Sequence, residues 1–226
     1  MIKLISSMAT RQVLAELAAQ WQSASGIQAN IESVGGVDAA KRVQAGEAFD
    51  GVVLASDAID KLAASGFVVA GSRVDLVRSG VAVAVRAGAP LPDISTEAAL
   101  RSAIEAAPTL GYSTGPSGVA LVKLFEKWGM WDDMQPRIVQ APPGVPVGTL
   151  VARGEVALGF QQLSELMGLS GITVVGTLPD AVAITTIFSA ATCAASTQHE
   201  TVAKLFAFMA AAEAASVKQK HGMQAA

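Results

Sequence analysis

Short β-branched runs alternate along this chain with longer segments whose apolar residues recur at three- and four-residue spacing. The first is strand-like, at 2–5. In the segment that follows, Val13, Leu14, Leu17 and Trp21 share one face, which predicts a helix over 9–24 ended by Gly26. A strand at 27–33, the turn Gly35-Gly36, a helix at 37–46 and a strand at 49–54 come next. Asp57 is the expected cap of a helix at 58–64, and Gly66 closes it. Residues 73–88 break the rhythm with a long extended run interrupted by Ser79-Gly80, read as the first crossing between two lobes.

The alternation then resumes. Ser95 or Thr96 caps a predicted helix at 97–106, and a strand at 109–112 runs into Ser113-Thr114-Gly115-Pro116-Ser117-Gly118. A helix follows at 118–128, ended by Gly129, then a strand at 137–140 and a Pro-rich loop at 141–146. The helix after that loop ends at Arg153-Gly154. A strand at 156–160 leads to Gln161-Gln162, expected to open the next helix. Strands near 172–175 and 182–189 and terminal helices at 198–211 and 213–221 complete the pattern. Such alternation predicts an α/β protein built of βαβ units with mostly parallel sheets.

Composition narrows the function classes. Of 226 residues, 51% are hydrophobic and 15% charged, which suits packed cores and excludes a disordered chain. A net charge of −3 offers no basic surplus for a phosphate backbone, so nucleic acid is not an expected partner. A small anion remains open, because oriented N–H groups and hydroxyls hold anions without net positive charge. The single cysteine, Cys193, excludes an internal disulfide and a cysteine-based zinc cluster, and it reads as a small core residue. No metal or cofactor is expected. No uncharged apolar run reaches the roughly 18–20 residues needed to span a bilayer. Met1 is followed at once by strand-like Ile2-Lys3-Leu4-Ile5, so the sequence as written reads as cytoplasmic; removal of a leader would make it periplasmic.

The most informative stretch is Ser113–Gly118, with hydroxyls and glycines at a helix start. Free N–H groups there attract negative charge, and neighbouring hydroxyls donate further hydrogen bonds. Ser113, Thr114, Ser117 and Gly118 are therefore candidate ligand contacts; the plainer reading is that Ser117 caps a helix. Ser6 and Ser7 form a matching hydroxyl-rich turn after the first strand, again readable as a cap. Both turns lie at the carboxyl ends of strands, where open α/β sheets bind ligands. Arg78 and Ser79, on the first crossing, and Gln161, after its strand, are further candidates that would otherwise be ordinary surface or packing residues. Asp57 and Glu165 also follow strand ends and would serve as bases if the site were catalytic; otherwise they are a cap and a solvated helix residue.

Enzyme signatures are mostly absent. In Gly115-Pro116-Ser117-Gly118-Val119, Val119 stands where a nucleophile elbow needs glycine. The two histidines, His199 and His221, both lie in the terminal helical region, which disfavours a Ser-His-Asp triad. Gly-x-Gly-x-x-Gly, the phosphate loop and His-Glu-x-x-His are missing.

Four segments together resemble the bacterial solute-binding proteins related to the molybdate-binding components of ABC transporters: Leu4–Ser7, Phe49–Val53, Tyr112–Gly118 and Gly148–Gln162. The resemblance implies the type II periplasmic-binding-protein fold: two α/β lobes joined by two crossovers, with a ligand cleft between them that closes by hinge motion near Gly80 and Ser189. Lobe one would be 1–80 plus 190–226, and lobe two 81–189. The family's oxyanion-binding serine would fall on Ser6 or Ser7, and its second turn on Ser113, Thr114, Ser117 and Gly118. An ABC permease would be the partner of an exported protein. The only tyrosine, Tyr112, is not where a tyrosine often closes a molybdate site, so the ligand is left as a small oxyanion or organic acid. A branch of the fold resembles aconitate isomerase, so a cytoplasmic isomerase of small unsaturated polycarboxylates is the alternative. Arg11, Arg73 or Arg78 would then anchor carboxylates, and Asp57 or Glu165 would move the proton.

Overall fold

A computed structural model describes every residue except Pro143, so one position of the Pro-rich loop expected at 141–146 lies outside the described residues. In chain order the principal elements are β1 (Ile2–Ser7), α1 (Arg11–Ser25), β2 (Ala29–Val34), α2 (Gly36–Gln44), β3 (Gly51–Ala55), α3 (Ser56–Ala64), β4 (Val74–Arg86), α4 (Glu97–Ala106), β5 (Leu110–Tyr112) and α5 (Pro116–Lys127). They continue with α6 (Trp131–Met134), β6 (Ile138–Gln140), α7 (Val147–Arg153), β7 (Leu158–Gln162), α8 (Leu163–Leu166), β8 (Ile172–Thr177), β9 (Thr185–Thr192), α9 (His199–Ala210), α10 (Ala215–Lys220) and β10 (Gln224–Ala225). The chain divides into two compact units, Met1–Ser79 with Thr186–Ala226, and Gly80–Thr185.

In the first unit β1 is central, with β2 and β3 parallel on either side, and β9 antiparallel to β3. β10 pairs antiparallel with the first half of β4. Alternate residues of β1 serve opposite faces. Ile2 and Leu4 pack with Val13, Leu14, Leu17 and Trp21 of α1 and with Val202, Leu205, Phe206 and Met209 of α9. Ile5, with Val52 and Leu54 of β3, packs instead on Ala39 and Val43 of α2 and Ile59 and Leu62 of α3. A strand buried on both faces must be apolar throughout, which is why these strands read as continuous hydrophobic runs. α1 ends at Gly26, whose left-handed φ of 72° lets its N–H reach the Gln22 carbonyl.

In the second unit, the latter half of β4 pairs antiparallel with β7 and β8, and β5 lies parallel between β7 and β6. Phe125 of α5 and Phe160 of β7 meet edge to face at 6.2 Å, inside a core that also takes Leu100 and Ile104 of α4.

The structure corrects several local expectations. The sheets are mixed rather than mostly parallel, because β4 and β9 run against their neighbours. Asp57 is not a cap. β3 passes directly into α3, the cap is Ala55, and Asp57 sits in the first turn beside Lys61. α5 starts at Pro116, two residues early, since proline suits the first helical position and needs no N–H partner there. Gln161 and Gln162 belong to β7, opposite Ala82 and Val81, rather than opening a helix. Thr96 is the cap of α4, its hydroxyl accepting from Ala99 N at 3.1 Å. The single turn α6 and the two-residue strand β10 carry too little pattern to be read from sequence.

Candidate functional site

Each unit carries its own candidates. In the second, β5 and β7 are parallel neighbours, with Tyr112 level with Phe160. Ser113 therefore leaves the sheet beside Gln161, which is still within β7, at the carboxyl end of both strands. Beyond Tyr112 the chain makes three residues before α5 begins. The Ser113 and Ser117 hydroxyls are 3.3 Å apart, and Ser113 Oγ accepts from Gly115 N at 3.4 Å. Ser117 is buried and Ser113 partly so, while Thr114 is exposed. The cap position is Gly115, which has no side chain to offer, and the first turn of α5 holds no acidic residue. Pro116 has no N–H, and those of Gly118 and Val119 donate to the Gly115 carbonyl at 3.0 and 3.2 Å, which leaves the Ser117 N–H as the first-turn donor without such a bond among the described residues; Ser117 lies within the turn instead of capping it. Gly118 is required by close approach: a Cβ there would lie 1.8 Å from the Ser113 carbonyl oxygen.

In the first unit, Ser6, Ser7 and Thr10 are all buried between β1 and α1. Ser6 Oγ is 2.8 Å from Ser33 Oγ, its register partner on β2, and Ser7 Oγ is 3.5 Å from Thr10 Oγ1. Thr10 Oγ1 donates to the Ser7 carbonyl at 3.1 Å. Neither Ser7 nor Thr10 caps its helix through the side chain, so the hydroxyls form a cluster of their own. Gly36, at the start of α2, brings a further helix end to within 3.7 Å of Ser7 Cβ, measured from where its own Cβ would be. Thr10 and Ser33 were not singled out from sequence. Thr10 carried a signal in its three-residue spacing from Ser7, but Ser33 joins only through strand register.

The crossing residues separate. Arg78 is exposed, level with Gln224 of β10. Ser79 is 1% exposed and its hydroxyl has no hydrogen-bond partner among the described residues. Of the three arginines considered as anchors, Arg73 is held by Asp60 and Asp75 at 2.7 and 2.9 Å, whereas Arg11 and Arg78 make no ion pair among the described residues.

Gln161 is buried and its amide is fully oriented. Its oxygen accepts from Val147 N at 2.8 Å, which turns its nitrogen to donate to Glu165 Oε1 at 2.8 Å. Glu165 is partly buried, and desolvation pushes its carboxyl up to about 7 despite the opposing Gln161 hydrogen bond. Asp57, the other carboxylate considered, is well exposed and 3.7 Å from Lys61. Cys193 is buried, and burial together with Asp50 pushes its thiol up to about 12, as befits a core residue.

The family model described as bacterial extracellular solute-binding protein matches residues 2–224. An aconitate isomerase from Pseudomonas sp is 36% identical over 228 residues, covering 99% of this chain and 87% of that protein. Among solved structures, the Azotobacter vinelandii periplasmic molybdate-binding protein superposes with a TM-score of 0.81 at 20% identity, covering 99% of this chain and 98% of its own. The Geobacter sulfurreducens tungstate ABC transporter structure matches with a TM-score of 0.76 at 16% identity, covering 97% of each chain. At such identities the structural likenesses establish the fold, which is α/β and of the type II periplasmic-binding-protein kind.

Proposed function

Because the chain belongs to the bacterial extracellular solute-binding proteins, we propose that it binds a small anion, an inorganic oxyanion or an organic acid. Each unit offers a hydroxyl-rich strand end to such a ligand, Ser6–Ser7 in the first and Ser113–Gly118 in the second. The observation that carries this reading is the Ser113–Gly118 turn. Two serine hydroxyls 3.3 Å apart stand at a helix end with no capping side chain and no acid in its first turn. Those groups are donors without a countercharge, the arrangement that suits an anion in a chain of net charge −3. Among the described residues no helix is long and apolar enough to cross a membrane; in the transport reading, passage across one is the task of a partner. An ABC permease is that partner in this reading.

A second reading has its own support. The 36% identity to an aconitate isomerase extends over 99% of the chain, and Glu165 is a carboxyl able to hold or release a proton near neutrality. The same anion site would then turn over an unsaturated polycarboxylate.

Melting temperature against molybdate, tungstate, sulfate, cis-aconitate, trans-aconitate and citrate tests the proposal. A ligand at ~100 times its Kd stabilises by ~2.7 kcal/mol, a readily seen shift. A rise with tetrahedral oxyanions alone supports the transport-type binder and rejects the isomerase. A rise with carboxylates alone rejects the molybdate-type reading. No rise with any of the six rejects the ligand classes named here.

A further inference from the structure

We propose that Glu165 is the group that takes a proton from a carbon of a bound unsaturated polycarboxylate and returns it, with Gln161 as its positioning residue. The proposal rests on the isomerase reading above and assigns its proton transfer to Glu165 rather than Asp57.

Four observations carry it. Glu165 lies in the first turn of α8, directly after β7, at the sheet edge that β7 shares with β5 and hence with the Ser113–Gly118 turn. Its carboxyl is held in one place: Gln161 is locked by the Val147 N–H and can present only its amide nitrogen to Glu165 Oε1. Among the described residues Oε2 makes no hydrogen bond, and the side chain is not fully buried, so one oxygen stays available to a ligand. Ser164, its chain neighbour, is 7% exposed, and its hydroxyl has no partner among the described residues. Asp57 has no comparable support, being exposed beside Lys61.

The electrostatic setting agrees. α8 packs on β7, α7, β4 and β8. β7 and β8 carry no charged residue. Arg153 at the end of α7 is 3.8 Å from Glu155, and Arg86 ends β4. None of these enters the causes of the Glu165 shift, which are burial and the Gln161 hydrogen bond. Both protonation states are therefore populated near neutral pH, as a group that first accepts and then donates a proton requires.

Interconverting cis and trans isomers needs the C=C bond to lose its order. The Glu165 carboxylate accepts a proton from a carbon adjacent to both the double bond and a carboxylate. That C–H bond breaks, an O–H bond forms on Glu165, and the electron pair delocalises over the allylic carbons and the carboxylate. Breaking the O–H bond and re-forming a C–H bond restores one double bond in the other geometry. Nothing is oxidised or reduced, and no co-reactant is needed.

The test follows conversion of cis- to trans-aconitate by proton NMR for the wild-type chain and for E165Q, alongside the melting shift each ligand produces. The expected result is that E165Q retains the ligand-induced shift while conversion falls at least ~100-fold. Equal conversion by E165Q overturns the role of Glu165 and leaves the isomerase reading standing. Wild-type protein that is stabilised by both isomers but converts neither overturns the isomerase reading and this proposal, and leaves anion binding. Should E165Q fail to fold, the wild-type rate is measured from about pH 5 to about pH 8, where it is expected to fall in acid with a midpoint near Glu165's own. A flat profile overturns the proposal. Q161A, expected to lower kcat and shift that midpoint, separates positioning from mere packing, which would leave the midpoint in place.

Discussion

Replacing Gly118 with alanine places a methyl group 1.8 Å from the Ser113 carbonyl oxygen, 2.8 Å from Tyr112 Cδ2 and 3.0 Å from the Ser113 carbonyl carbon. Two of these three neighbours are backbone, so no rotamer change relieves the overlap. The turn itself must open by more than an ångström before ordinary contact is restored. Overpacking of this severity costs ~3 kcal/mol, and at ~2–4 °C per kcal/mol for a chain of this length the melting temperature should fall by ~6–12 °C. The companion change Gly115→Ala lies in the same turn but meets only Ser113 Oγ, at 3.5 Å, in an extended backbone that any residue adopts. Its expected cost is about 0.5–1 kcal/mol, because alanine is a poorer cap than glycine. Thermal melts of the two variants, followed by circular dichroism, decide the matter. G118A melting with the wild type, or G115A falling as far as G118A, would refute the claim that close backbone approach at Gly118 shapes this turn.

Other expectations follow from single residues. Lys218 is 1% exposed, its ammonium has no partner among the described residues, and burial lowers its pKa. Its charged form thus opposes folding fully below the folded pKa, and the penalty fades as pH rises toward the unfolded value; K218M should melt higher than wild type at neutral pH, with the gap closing in alkali. Arg137 donates to the carbonyls of Ile104, Glu105 and Ala107 at the end of α4. R137A should lower stability by ~1.5–3 kcal/mol in urea unfolding, because a charged donor to several carbonyls is lost. Asp75 is held below the usual carboxylate range by Arg73 first and then by the Ser189 hydroxyl at 2.6 Å. The stability it contributes is present above its unfolded pKa and is lost as pH falls through the folded value, so D75N should flatten the acid limb of the stability curve below about pH 4.

The fold was legible because its dominant signal is continuous. Apolar runs such as Val52–Leu54 can only be strands covered on both faces, and the Val13, Leu14, Leu17, Trp21 spacing can only serve one side of a helix. Ser113 and Ser117, four residues apart where a helix begins, were legible as neighbours for the same local reason. What escaped was whatever depends on register or desolvation. Ser33 reaches Ser6 only because β1 and β2 pair in parallel at that step. Gln161 looked like a free amide after a strand, yet its oxygen belongs to Val147 N and its nitrogen to Glu165. Glu165 and Asp57 were indistinguishable as acids after strand ends, and only their surroundings separate them.

The most direct test of anion binding at these turns is a titration of the nitrogen-15-labelled protein with molybdate and, separately, with cis-aconitate, following backbone amide resonances. Whichever anion binds is expected to move the amides of Ser113–Gly118 or of Ser6–Thr10 most, because donors in those turns would bond to it. Saturable binding that leaves both turns unmoved while other amides shift would contradict that expectation.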